Sequence, residues 1–273
     1  MISIEMITKD DKYIMESVNA ILNQNFSDYE IILVDSSSKN NESEFSNFKS
    51  IKYIYDKDSN FLKARFTANK MARGDYVLLL DSTRIINDKI IQKCLNELST
   101  KDMVIIPEIN KSKSKILNEY EKNIDEEYVL SNSNPSNGIF IPRFYKKEIL
   151  DKAFEEIMQK IGNEMENICA LEDRMIFLEA CKISNKIGVC DDYIIHRESS
   201  SLIDYMKKYY KYGKCNYYFF SKISSYSYLA DPKIKRKNKL NALNNKSFKI
   251  KILFLIRSFS FIVGFFSSKF FGS

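Results

Sequence analysis

The sequence predicts an α/β protein built on a mostly parallel mixed sheet flanked by helices, with a helical extension at its C-terminal end. Three observations predict it. Over the first 110 residues, short apolar runs alternate with amphipathic stretches, the rhythm of strand and helix in turn. Two of the runs, Glu30-Ile-Ile-Leu-Val34 and Tyr76-Val-Leu-Leu-Leu80, are continuous rather than alternating, as parallel strands covered on both faces are. The end of the chain differs in kind: no acidic residue follows Asp231, and residues 250–271 are strongly apolar.

Each element has its own signal. Ile2 to Ile7 reads as a strand. Asp10 to Gln24 reads as a helix, because Tyr13, Ile14, Ser17, Val18, Ile21 and Leu22 fall on one face. The strands at 30–34 and 76–80 close on Asp35 and Asp81. Ile51 to Tyr55 is a short strand between them, and Asn60 to Arg73 a helix stopped by Gly74. Asn87 to Leu98 is helical and Met103 to Ile106 a strand. Lys111 to Tyr128 is polar and charged and reads as a surface loop. Residues 131–138 read as a turn leading into a strand over 139–141. Helices are expected over Glu148–Ile161 and Glu172–Lys182, short strands over Ile187–Val189 and Tyr193–Ile195, and an aromatic-rich helix over Ser201–Phe220.

Composition excludes several classes. Gly and Pro number only 7 and 4, so long disordered linkers are not expected. There is no G-x-G-x-x-G and no G-x-x-x-x-G-K-[ST], which removes dinucleotide enzymes and P-loop kinases. The five cysteines are scattered and form no C-x-x-C pair, so neither a zinc site nor a disulfide framework is indicated and reduced thiols are expected. Residues 1–5 lack a basic flank and an apolar run, so a cytoplasmic location is expected. In an open parallel sheet a ligand sits outside the carboxyl ends of the strands, which is where Asp35 and Asp81 fall. Without a glycine cradle, a diphosphate there must be neutralised by a metal, by Lys/Arg, or by both.

Several ordered segments resemble the family 2 glycosyltransferases of the GT-A fold. "IEMITKDDKYIMESVNAILNQNFSDYEIILVDSSSKN" is similar to the opening of that family, and "ARFTANKMARGDYVLLLDST" to the helix and strand leading to its D-x-D motif. "IFIPRFYKKEIL" resembles the acceptor-side strand and helix. "LEDRMIFLEACKISNKIGV" resembles the helix that opens on the acidic pair, and "HRESSSLIDYMKKYYKYGK" the closing segment of a prokaryotic subgroup. The resemblance covers about residues 1–215. It implies a GT-A domain over 1–200, with a donor half at 1–110 and an acceptor half at 111–200, and an extension over 201–273.

The resemblance also implies roles. Thr8 lies where the nucleotide base meets the backbone, Asp35 matches the aspartate that binds the base, and Arg65 an arginine near the donor diphosphate. Asp81 matches the first aspartate of D-x-D, near ribose and metal, and Thr83 stands at its third place. Asp173, beside Glu172, matches the general base of inverting members, which takes the acceptor proton as the hydroxyl attacks the anomeric carbon. A divalent cation, Mg²⁺ or Mn²⁺, is implied, with Asp81 as ligand and His196, the only histidine, as a candidate second. Thr83 weakens that site, since a neutral hydroxyl is a poorer ligand than a carboxylate. The implied activity is inverting transfer from a nucleotide sugar to a glycan or polyprenyl-lipid-linked acceptor. The alternatives are a degenerate GT-A-fold protein that binds nucleotide or glycan, and a sugar nucleotidyltransferase.

The last segment carries a separate expectation. Of a net charge of +6, residues 232–273 contribute +10, so the remainder carries −4. On a helical wheel Ile252, Leu255, Ile256, Phe259, Ile262, Val263, Phe266 and Phe270 share one side; Arg257, Ser260, Gly264, Ser267 and Ser268 lie opposite. The longest uncharged stretch, 258–268, is half the ~20 residues of a spanning helix. Residues 232–273 are therefore expected to lie on an anionic membrane surface, as a peripheral anchor on its cytoplasmic face. Nucleic acid is not an expected partner, because phenylalanines at helical spacing suit a bilayer better than a phosphate backbone.

Overall fold

A computed structural model of the chain describes residues 1–128, 141–230 and 246–271. The chain divides into two units, one formed by Met1–Ile109 with Phe140–His196 and the other by Asn110–Ile139 with Arg197–Ser273.

The first unit carries the sheet. Its strands are β1 (Ile2–Thr8), β2 (Tyr29–Asp35), β3 (Ile51–Tyr55), β4 (Tyr76–Asp81), β5 (Arg84–Ile85), β6 (Met103–Ile105), β7 (starting at Glu108 and ending at Lys111), β8 (Pro142–Lys146), β9 (Ile187–Val189) and β10 (Ile194–Arg197). The main sheet has the order β3-β2-β1-β4-β8-β6-β9, and β5, β10 and β7 make a small second sheet. Strands β1 to β4 pair in parallel, and β8 runs against both β4 and β6. The helices of this unit are α1 (Ile14–Leu22), α2 (Glu42–Phe45), α3 (Phe61–Met71), α4 (Ile90–Leu98), and, later in the chain, a helix over Lys147–Ile161 and one over Glu172–Ile183. With α5 (Lys115–Tyr128) in the second unit, those last two are α6 and α7.

The continuous apolar runs are the central strands, and every residue of β1 is buried. Ile2, Ile4 and Met6 pack on one face with Ile31, Leu33, Leu78 and Leu80. Ile7, Ile32 and Val34 pack on the other with Ala64 and Ala68 of α3. Gly74 ends the approach to β4: a Cβ there would lie 2.6 Å from the Ser3 backbone nitrogen, so a larger residue would push β4 off β1. Cys94, Cys181 and Cys190 are free thiols. Cys169 and Cys215 are disulfide-bonded, which departs from the expectation of reduced thiols. Sequence spacing does not report which cysteines meet in space.

The second unit is helical: α5, α8 (Leu202–Lys222) and α9 (Phe248–Phe271). Residues 115–128 form a helix where a loop is expected, because Leu117 and Tyr120, one turn apart, are buried with Tyr205, Ile250 and Leu253. The acceptor half expected at 111–200 is thus split, its first part lying in the unit of the C-terminal helices. The turn over 131–138 and the start of the strand over 139–141 lie outside the described residues; the strand described there is β8.

Helices α8 and α9 run parallel, since their partners advance together. Tyr209 lies under Arg257, a Cβ on Gly213 would meet the Phe261 carbonyl oxygen at 2.1 Å, and Tyr217 packs on Phe265. A Cβ on Gly264 would likewise lie 2.0 Å from the Tyr210 carbonyl oxygen, so the two backbones touch at both glycines. The buried line of α9 is Ile250, Leu253, Ser260, Gly264 and Ser268. Its outward line is apolar: Leu255 is 65% exposed, Phe259 66% and Phe270 70%. The small and polar side of the wheel therefore faces α8, whereas an ordinary interfacial helix turns that side to water.

Candidate active site

Strand register brings the expected donor residues to one edge. Thr8 lies beside Asp35, and Ile7 beside Asp81, so three adjacent strands deliver their last residues together. Loops after β1 and β2 are tied to each other: Asp10, with φ at 52°, accepts from the Ser38 backbone N–H at 2.9 Å and from the Ser38 hydroxyl at 2.8 Å. Asp35 is fully buried and saturated by its own chain. It accepts from the Ser37 backbone N–H at 2.8 Å, from Asn41 Nδ2 at 2.9 Å and from the Tyr53 hydroxyl at 2.6 Å. It organises the loop after β2.

Arg65, from the middle of α3, is 1% exposed and lies beneath the strand ends. Its Nη1 donates to the Leu80 carbonyl at 2.7 Å and its Nη2 to Asp81 Oδ1. Burial lowers this guanidinium to about 10, with nearby Glu172 and Glu5 opposing the shift, so it stays charged at neutral pH. Thr83 sits in the turn between β4 and β5. The next residue, Arg84, turns back: its Nη1 pairs with Asp81 Oδ2.

Glu108 is the centre of the site, and no motif pointed to it. It accepts from Arg84 Nε at 3.0 Å and Arg84 Nη2 at 3.2 Å, and also from Arg143 Nε. Burial alone would raise its carboxyl, but Arg143, Arg84 and His196 hold it far below the usual range. Arg143 comes from β8. Because β8 runs against β4, with Phe144 opposite Leu78, Arg143 points along the edge where β4 ends. Its Nη2 lies 4.0 Å from Asp173 Oδ2. A continuous line of opposite charges thus runs from Asp173 through Arg143, Glu108 and Arg84 to Asp81. Two arginines and a glutamate spread over about 60 residues of sequence give no local pattern, which is why Arg84, Glu108 and Arg143 are not legible as a group.

Glu172 and Asp173 open α7. Leu171 before them is left-handed, at φ 68°, a conformation costing roughly 1–2 kcal/mol in a residue with a Cβ. Strain of this kind gathers at functional sites. Glu172 is buried, and burial together with the Asp173 charge pushes its carboxyl up to about 7. Asp173 is more open; its Oδ1 accepts from the Arg174 backbone N–H at 2.8 Å, and its Oδ2 is free of any hydrogen bond to Arg143 at 4.0 Å.

A divalent cation needs several free oxygens aimed at one point. Both oxygens of Asp81 already face guanidiniums, and Thr83 offers only a neutral hydroxyl. His196, in register with Arg84 on β10, turns its Nδ1 to Glu108 Oε2 at 3.8 Å. Among the described residues, no three His, Cys, Asp or Glu side chains converge where they could hold an ion. As placed, the set does not fit a divalent cation: Asp81 and His196, expected to share one, face different partners.

A strand edge carrying aspartates, with a second acidic pair opening a helix nearby, is the arrangement of a sugar-nucleotide transferase domain. The family model "Glycosyl transferase family 2" matches residues 3–163, well over half the chain, and the chain belongs to that family. Chondroitin synthase of Escherichia coli is 29% identical over 91 residues, 32% of this chain and 13% of that protein. Glycosyltransferase GlyG of Streptococcus pneumoniae is 26% identical over 101 residues, 35% of this chain and 34% of that protein. The chain thus spans only 13% and 34% of the length of these curated relatives. Among solved structures, S. aureus TarS 1-349 superposes with a TM-score of 0.56 at 16% identity, covering 96% of this chain and 80% of that one. The same protein in complex with UDP gives 0.54 at 18% identity, covering 98% and 91%. At such identity the likeness is one of fold, and the fold is the GT-A type.

Proposed function

We propose that the chain is an inverting glycosyltransferase that takes a nucleotide-sugar donor and uses Asp173 as general base. The observation that carries this reading is the charged line from Asp173 to Asp81: the open carboxylate and the donor edge belong to one rigid cluster. The acceptor hydroxyl attacks the anomeric carbon from the face opposite the diphosphate. Its proton passes to Asp173, the bond from the anomeric carbon to the phosphate oxygen breaks, and the nucleoside diphosphate leaves with the electron pair. Arg143 Nη2 stands 4.0 Å from the Asp173 carboxylate. Donor use is supported by TarS, a fold neighbour with solved complexes of UDP and UDP-GlcNAc. The test is release of nucleoside diphosphate from UDP-GlcNAc, UDP-glucose, UDP-galactose and GDP-mannose in the presence of a bacterial lipid and glycan extract. Acceptor-dependent release from one donor is expected; no release and no binding of any donor would sink the reading.

The acceptor is proposed to be a glycan or lipid-linked sugar at a membrane, met by the second unit. The support is the outward apolar line of α9, within a stretch that has ten basic and no acidic residues after Asp231; Ile203, Met206 and Tyr210 of α8 are exposed as well. By length and composition α9 could cross a bilayer. Arg257 at its middle, over the Tyr209 ring and bonded to the Tyr120 hydroxyl at 3.3 Å, favours lying in the interface. Full-length protein is expected to sediment with vesicles containing phosphatidylglycerol, less with phosphatidylcholine alone, and less at high salt. Leu255→Glu with Phe259→Glu is expected to weaken this by about tenfold or more. Vesicle binding unchanged by the pair, or a dimer that the pair dissolves, would assign the face to another chain.

A further inference from the structure

We propose that transfer by this chain runs without a divalent cation, the positive charge at the leaving diphosphate being supplied by Arg84 with Arg65 behind it. The inference rests on the glycosyl-transfer reading above and concerns the same site.

Four features of the site lead there. Asp81, the carboxylate that would ligate a metal, has one oxygen against Arg65 and the other against Arg84. A cation placed on it would displace a guanidinium and stand a few ångströms from two more positive charges. The second ligand position holds Thr83, and the residue directly after it is the arginine that turns back onto Asp81. Arg84 is also fixed: Glu108 takes its Nε and Nη2, leaving Nη1 at the Asp81 end. That Nη1 is buried against Asp81 Oδ2, its charge partner, and its other N–H meets no acceptor. A buried N–H without an acceptor asks for one, and a phosphate oxygen, like a carboxylate oxygen, matches a guanidinium. Charge held by a salt-bridged frame needs no reorganisation when the diphosphate forms.

In the step itself no proton leaves Arg84. The anomeric carbon gains a bond to the acceptor oxygen and loses its bond to the phosphate oxygen. The charge that develops on that oxygen is met by Nη1, and the hydroxyl proton goes to Asp173.

The experiment uses the full chain and calorimetric titration with UDP and with GDP, after EDTA and again with added Mn²⁺ or Mg²⁺. One nucleotide is expected to bind with the same affinity, within about twofold, under all these conditions, and its sugar to be transferred at the same rate. Arg84→Ala is expected to weaken that binding by about tenfold or more, and Arg84→Lys by less, since a point charge replaces the fork. In Thr83→Asp with Arg84→Ala, binding is expected to become Mn²⁺-dependent. Binding or transfer seen only with the cation overturns this inference and leaves the glycosyltransferase reading standing. Binding unchanged in Arg84→Ala overturns it too, and absence of any nucleotide binding overturns both. If Arg84→Ala fails to fold, the EDTA comparison on the unaltered chain decides alone.

Discussion

Asp173→Asn is expected to lower the transfer rate by about 10²–10⁴-fold, the range a positioned general base supplies. The amide keeps the shape of the side chain and its acceptance from the Arg174 backbone N–H, but it cannot take the acceptor proton. It also leaves Arg143 paired with Glu108, so the frame of the site remains. Nucleotide affinity should therefore stay within about twofold while the rate collapses. Measuring both separates the base from a merely structural residue. A variant that keeps more than about a tenth of the rate would remove Asp173 from the chemistry, and Glu172, which burial holds near neutral, would be the next residue to test.

Glu5→Gln is expected to have the largest effect on stability, and one that depends on pH. Glu5 sits in the middle of β1, wholly buried, with neither carboxylate oxygen hydrogen-bonded. Burial pushes its carboxyl up to about 8, with Arg65 and Lys147 only partly opposing. The unfolded chain releases this proton near the ordinary value of 4.5, while the folded chain keeps it up to about pH 8. Folding therefore takes up a proton across that window, and stability falls as pH rises through it. The slope is about 1.4 kcal/mol per pH unit, or roughly 4–5 kcal/mol across the window as an upper bound. Glutamine cannot ionise and removes the slope. Urea unfolding at about pH 5.5 and about pH 8 should show the variant gaining about 3 kcal/mol on the unaltered chain between the two. An equal difference at both pH values would mean that Glu5 is already charged in the fold.

The parts of this molecule legible in its sequence are those whose cause is local. Val34 and Leu80 lie in runs that only a strand covered on both faces can bury, and the aspartates that close them fall at the expected edge in matching register. Helix α5 was not legible, because its many charges hide a two-residue stripe, Leu117 and Tyr120, whose partners lie on α8 and α9. Within the site, Arg65 and Asp81 were legible as single residues but not as a pair. Glu108 and Arg143 were not legible at all: an isolated charged residue is ordinarily a solvated one, and only the reversal of β8 brings these two together.

The contact between α8 and α9 has a consequence for how the second unit can change over time. The backbones meet at Gly213 and Gly264, where even one added carbon would strike a carbonyl oxygen. The helices therefore cannot slide by one residue or turn by 100°, because either move brings a Cβ into the place a glycine leaves open. What fixes the rotation of α9 also fixes which of its side chains look outward. The outward residues themselves are then free to drift among Leu, Ile, Val and Phe without altering the packing, while the two glycines are not. Variation across relatives should accordingly be high at Leu255, Phe259 and Phe266 and low at Gly213 and Gly264, the reverse of the usual contrast between a protein's surface and its interior.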